Sequence, residues 1–255
     1  MMNVQMAWFC ALMMCASVAH PEENLLVADV VPFIFPEGNG YQGVLYEIVH
    51  EVALRVGHSG AVRPMPIRRQ AELGRRNAGT LTTLLYKPSR QFEYTWLFKL
   101  LDDRIVLVAN ADAKVDISSV KAARDLRIGV ILGSASEAAL QRLGFSHIES
   151  VASVENNARK LALGRIDAWA VAYGTMLYAQ THYRELPAWR TGAVLGEYSM
   201  YLGGPLGMDA KRAKHWRDAF ESMRRDGSYA RILRTYHYAV PVEGQSYLSP
   251  VDDAR

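Results

Sequence analysis

The sequence predicts an α/β fold of two units, and three features carry that prediction. Short runs rich in Val, Ile, Leu and Thr alternate with longer segments whose apolar residues recur at helical spacing. Glycine-bearing turns separate the two kinds of segment, as at Gly38-Asn39-Gly40 and Gly133-Ser134. The length, 255 residues, suits one large domain or two of roughly 100–120 residues each.

Taken in order, residues 25–31 read as a buried strand that Pro32 stops, with Phe33 and Phe35 on the loop beyond. Val44, Leu45, Ile48, Val49, Val52, Ala53 and Val56 mark one face of a helix that Gly57 ends. Residues 62–66 form a short strand, 68–76 a polar helix and 80–85 another strand. This β-α-β-α-β order predicts an open, mostly parallel sheet with helices on its faces. Two strands follow, 96–101 and 104–109, then a helix over 116–124 with Ser118 or Ser119 near its cap. A strand over 127–132, a glycine turn and a helix through Leu143 come next. A helix over 156–163 and a strand over 165–171 complete a second α/β unit. Residues 198–202 are a strand returning to the first unit, and helices over 210–225 and 229–236 follow. Residues 243–255 are polar and expected to be loosely held.

Half of the residues are hydrophobic and 22% are charged, the composition of a globular chain and not a disordered one. A net charge of +3 is too mild and dispersed to argue for nucleic acid. Arg68-Arg69 and Arg75-Arg76 lack interleaved aromatics and read as a solvated helix face. Residues 6–19 are an apolar run of 14 residues, short for a bilayer span, ending in Ser17-Val18-Ala19. We expect a secretory signal cleaved after Ala19, although the preceding MMNVQ carries no Lys or Arg. Both cysteines, Cys10 and Cys15, lie inside it, so the mature chain is expected to have no thiol, disulfide or cysteine metal site.

Residues 79–94 are the most suggestive stretch. A hydroxyl-lined strand over 80–85, with Thr80, Thr82 and Thr83, feeds Lys87-Pro88-Ser89 and then Arg90. Thr hydroxyls and free amides donate to single oxygens, and a guanidinium offers a planar fork to a carboxylate. The second unit supplies a strand, Gly133-Ser134-Ala135-Ser136-Glu137 and a helix, whose N-terminal amides and dipole suit an anion.

Several of these stretches, in order, resemble the bacterial extracellular solute-binding proteins of family 3, the type II periplasmic binding proteins. They are Val31-Pro32-Phe33, Gly43 with Glu47-Ile48, and Lys87-Pro88-Ser89-Arg90 for T-x-x-R. Residues 125–130 with Gly133-Ser134, Gly164-Arg165-Ile166-Asp167-Ala168, and Asp226-Gly227-Ser228-Tyr229 complete the set. The resemblance spans residues 25–238. It implies two Rossmann-like lobes joined by two crossing strands, with ligand held in the cleft. The expected lobes are 20–108 plus 195–240, and 109–194, after a signal at 1–19 and before a tail at 241–255.

The resemblance also assigns roles. Arg90 takes a carboxylate, Thr83 and Tyr86 lie at the strand end beside it, Ser134 and Ser136 contact the same anion, and Phe33 and Tyr173 are walls. Arg69 stands where relatives carry P-W-x-R and faces either cleft or solvent. Where amino-acid receptors hold the ammonium with an aspartate, this chain has Ala172, leaving Tyr173 or Glu47 as alternatives. That departure favours a carboxylate or a more acidic ligand over an ordinary amino acid. We expect a small-molecule ligand, no cofactor, no metal, no nucleic acid, a monomer, a periplasmic location and no catalysis. Ser134 lacks a nucleophile-elbow context, and His182 with Glu185 falls short of a metal site. The partner is an ABC permease or a membrane sensor, and a dehydratase-like enzyme is the third alternative.

Overall fold

Strand β1 (Asn24–Ala28) is buried over its last four residues, as its unbroken apolar run requires of a strand covered on both faces. The computed structural model describes residues 23–76 and 79–238. The expected signal at 1–19 and tail at 241–255 lie outside the described residues. After β1 come a small hairpin, β2 (Phe35–Glu37) and β3 (Gly40–Gln42), helix α1 (Val44–Arg55), β4 (Val62–Met65), α2 (Ile67–Arg76) and β5 (Thr80–Leu85). A single 3-10 turn over Pro88–Arg90 leads into β6 (Tyr94–Asn110). Next stand α3 (Val120–Ala123), β7 (Ile128–Ile131), α4 (Ala135–Leu143), β8 (Ile148–Val151), α5 (Val154–Ala162), β9 (Ala168–Ala172) and α6 (Tyr173–His182). The long β10 (Trp189–Pro205) is followed by α7 (Ala210–Arg225) and α8 (Ser228–Thr235).

One sheet of eight strands runs in the order β4-β1-β5-β10-β6-β9-β7-β8. Strand β1 lies parallel to β4 and β5, and β7 parallel to β8 and β9. Strands β6 and β10 pair antiparallel over their whole lengths and serve both halves of the sheet. Each is 17 residues long. On the first half, α1, α7 and α8 cover a core that includes Leu25, Ile48, Leu81, Trp216 and Phe220, with Phe98 stacked on Phe220 at 4.2 Å. On the second half, alternate residues of β6 enter separate cores on the two faces. Ile105, Leu107 and Ala109 pack with α4, while Val106 and Val108 pack with α5 and α6.

Four expectations change. The two strands expected at 96–101 and 104–109 are one strand, because Asp102 and Asp103 continue the ladder opposite Ser199 and Tyr198. Strand β10 likewise extends far beyond 198–202. The helix expected over 116–124 shrinks to Val120–Ala123, capped by the Ser119 hydroxyl, which accepts from the Ala122 amide. Strand β8 and helix α6 were not predicted, and the turn read at Gly38-Asn39-Gly40 proves to join the β2–β3 hairpin.

Candidate functional site

The two halves of the sheet face each other across a cleft of about 270 Å³. From the first half come Ala28 at the end of β1, Val30 and Phe33 beyond it, Ile67, Arg68, Gln70 and Ala71 on α2, and Thr83, Leu84 and Leu85 at the end of β5. Lys87 and Arg90 follow on the turn. The second half contributes Ile131, Gly133 to Ser136 and Ala138, then Ala170 to Ala172 and Thr175. Tyr198 and Met200 of β10 form the back. The strands' carboxyl ends meet here, the usual ligand position in open α/β sheets.

Gln70 fixes the first wall. It is buried, and its amide nitrogen donates to the carbonyls of Leu26 and Thr83 at 3.2 and 2.9 Å and to the Thr83 hydroxyl at 2.8 Å. The Thr83 hydroxyl therefore has its proton left to give. Arg90 is half-buried; its Nε donates to Glu93 at 3.0 Å and its Nη2 to the Tyr94 hydroxyl at 2.6 Å. These bonds hold the guanidinium in place and leave Nη1 for another acceptor.

The second wall is built round Ser134 at the start of α4. Its hydroxyl accepts from the Glu137 amide at 3.2 Å, and the Glu137 carboxylate reaches back to accept from the Gly133 amide at 2.6 Å. This is a capping box shifted by one residue, since the carboxylate takes the amide before the cap while the Ser134 amide donates to the Ile131 carbonyl. It means the helix N-terminus already holds a carboxylate of its own, while the Ser134 hydroxyl accepts in the cap and keeps its proton to give. The amides of Ala135 and Ser136 have no acceptor among the described residues, and the Ser136 hydroxyl is buried beside them. Gly133 has φ +77°, and a Cβ there would sit 3.0 Å from Cγ of Arg68, so glycine lets Arg68 lie across the mouth. Arg68 ends 3.8 Å from Glu137. A second bridge between the halves is the Thr175 hydroxyl, which donates to the Val31 carbonyl at 2.8 Å.

Of the residues expected at the site, Arg90, Thr83, Ser134, Ser136 and Phe33 are brought together in the cleft. Three are not. Arg69 turns toward Asn24 and Arg63 at the β4 edge, because one step along α2 rotates a side chain by about 100°. Tyr86 is one residue past Leu85 and so faces the opposite side, against Trp96 and Tyr201. Tyr173 opens α6 in a separate groove behind the sheet, beneath the Arg104 guanidinium at 4.0 Å. Glu47, the other alternative partner for an ammonium, bonds the Tyr236 hydroxyl. Reading the sequence missed Arg68, Lys87 and Gln70. A buried glutamine on an otherwise polar helix has no periodic signal, and adjacent arginines leave the phase of the helix undecided.

Behind Tyr198 the crossing strands carry Asp103. Burial pushes its carboxyl above the usual carboxylate range, against the opposing pull of hydrogen bonds from Arg104, Tyr238, Gly174 and Tyr198. The hydroxyls of Tyr238 and Tyr198 donate to it at 3.1 and 3.4 Å. Burial, and then the Asp103 charge, raise the Tyr198 phenol well above its ordinary value, so its hydroxyl keeps its proton.

No protein-family model matches the chain, and no curated protein matches it. Solved structures do. An ancestral arginine-binding protein bound to arginine superposes with TM-score 0.70 at 17% identity, over 85% of this chain and 99% of that one. EhuB in complex with hydroxyectoine gives 0.74 at 16% identity, over 85% and 88%. A histidine kinase sensor domain with similarity to periplasmic binding proteins gives 0.72 at 16% identity, over 90% and 99%. Identities this low establish shape alone, and among the described residues no helix is long and apolar enough to cross a membrane. The chain has the two-lobed α/β fold of the type II periplasmic binding proteins.

Proposed function

We propose that the protein is an exported solute-binding protein that captures a small anionic or zwitterionic metabolite, amino-acid-like or a simple carboxylate, between its lobes. The carrying observation is that donors stand on both walls. Arg90, Lys87 and Arg68 come from one side and the α4 amides from the other. An anion that draws on both walls binds best when they approach, so its binding energy drives lobe closure. The lobes in this reading are residues 20–108 with 195–240, and 109–194, and the place of action is the periplasm.

The protein acts as a monomer and delivers ligand to an ABC-type permease. The likeness to a kinase sensor domain favours one other reading, a sensory or accessory protein that reports occupancy to a membrane partner. In this reading the protein binds without catalysis, and a dehydratase-like enzyme on the same fold is the remaining alternative.

Isothermal titration of the parent and Arg90→Ala against amino acids, dicarboxylates and small organic acids tests the reading. The parent should bind one class, and the variant should lose roughly 30-fold or more in affinity with its circular dichroism unchanged, the scale of truncating a buried charge-assisted pair. Equal affinity in a folded variant rejects the anchor.

A further inference from the structure

The cleft is unbalanced in charge and in hydrogen-bonding type. Three cations, Arg68, Lys87 and Arg90, line it, and no aspartate or glutamate does. Of the acids nearest the lining, Asp29 is exposed outside it between Ala28 and Val30, and three others are turned away or occupied. Glu137 is engaged by the Gly133 amide, the Ser150 hydroxyl at 2.6 Å and Arg68. Glu93 holds the far side of Arg90. Asp103 faces the groove behind Tyr198, together with Tyr238 and Tyr173. The charged open groups of the cleft are cationic, and the α4 amides and Arg90 Nη1 donate only; the Thr83 and Ser136 hydroxyls and the Gln70 carbonyl oxygen are the neutral acceptors.

An ammonium group brings one positive charge and three donors. Set among these residues it would meet three cations and no carboxylate, and burying a charge without a counter-charge is costly even where neutral oxygens accept its hydrogen bonds. A carboxylate, with acceptors only, meets what the cleft offers. The rest of the lining is hydrocarbon. Val30, Phe33, Leu85 and Met200 face Ile131 and Ala172, and these walls gain only from covering an apolar body. The volume of about 270 Å³ exceeds the ~150 Å³ cavity that holds benzene, which leaves room for a ring or branched chain plus a carboxylate arm.

Resting on the ligand-capture reading above, we propose that the cleft takes a carboxylic acid with an apolar body of phenyl or branched-alkyl size and no α-ammonium group. The carboxylate sits between Arg90 and the amides of Ala135 and Ser136, and the apolar body lies between Phe33 and Ile131.

Matched pairs decide it. The full chain is titrated calorimetrically with 3-phenylpropanoate against phenylalanine, and with 4-methylpentanoate against leucine; Arg90→Ala serves as the site control. The acid lacking the amine should bind roughly 100-fold or more tightly than its amino-acid partner, the scale of leaving one buried charge unpaired. Its heat should vanish in Arg90→Ala. Phenylalanine or leucine binding as well as the amine-free acid overturns this inference while leaving capture in the cleft intact. Heat from none of the four overturns this inference and leaves capture to the wider panel of amino acids, dicarboxylates and small organic acids; heat unchanged in Arg90→Ala removes the cleft as the site, and both readings with it.

Discussion

Arg90 is held before any ligand arrives. With Nε on Glu93, Nη2 on Tyr94 and its guanidinium 5.0 Å from the centre of the Tyr94 ring, little side-chain freedom remains to be lost on binding. The opposing wall depends on Gly133. Alanine there must adopt a left-handed backbone, costing about 1–2 kcal/mol, and would push Arg68 off the mouth. Gly133→Ala should therefore lower stability by about 1–2 kcal/mol in urea titrations and weaken ligand binding in the same protein. Unchanged stability would mean the turn relaxes to a conformation alanine tolerates. At this scale the sequence was legible where a motif ties residue type to a local hydrogen bond. Ser119, read with Ser118 as a cap candidate, is such a case, whereas Ser134 was read as an anion contact and its cap on the Glu137 amide was not. It was silent where orientation depends on distant packing. Arg68 and Arg69 are chemically alike, and only the seating of α2 on the sheet sends one to the cleft and the other to the edge.

Among the elements, the corner between α7 and α8 shows how a short motif is used. Asp226 accepts from the Ser228 amide at 2.9 Å and pairs with Arg55 of α1 at 2.7 Å. Arg55 also donates to the hydroxyls of Ser222 and Ser228, so one guanidinium joins three helices. The Ser228 amide first, and Arg55 after it, hold the Asp226 carboxyl down at about 2, against an ordinary 3.8. A carboxyl depressed in the folded state contributes stability that is fully present above its unfolded value and is lost as pH falls through the folded one. Asp226→Asn should thus lower the melting temperature at pH 6, and the gap to the parent should close between about pH 4 and pH 2. A gap that persists at the acid end would assign the loss to geometry and not to charge.

The Asp226-Gly227-Ser228 break was readable because turn residues sit where the chain must reverse. The unity of β6 was not. Asp102 and Asp103 look like a turn, yet this point lies between the cores of the two lobes, where the strand need not be apolar and is held by its ladder with β10. Helix α6 escaped for a related reason. It carries Gly174, whose position opposite the Tyr238 hydroxyl leaves no room for a side chain, at a place where helix propensity argues against it.

For the molecule as a whole, the sheet order sets a schedule for folding. Strand β5 has β10 as its neighbour on one side, and Leu85 pairs with Met200. By contrast, β7 and β9 pair within residues 128–169, close along the chain. Closing a long loop before any contact rewards it slows assembly, and local contacts form first. During synthesis from the amino end, β1, β4 and β5 must therefore wait, incomplete on one edge, until β10 and the helices after it emerge. Pulsed hydrogen exchange during refolding should find amides of β7, β9 and α4 protected before those of β5, and the reverse order would reject this schedule. An early strand left waiting is an open edge, able to pair with another copy of itself. The same arrangement that lets two long strands join the lobes thus makes the first eighty or so residues the stretch most in need of chaperoning before the chain is complete.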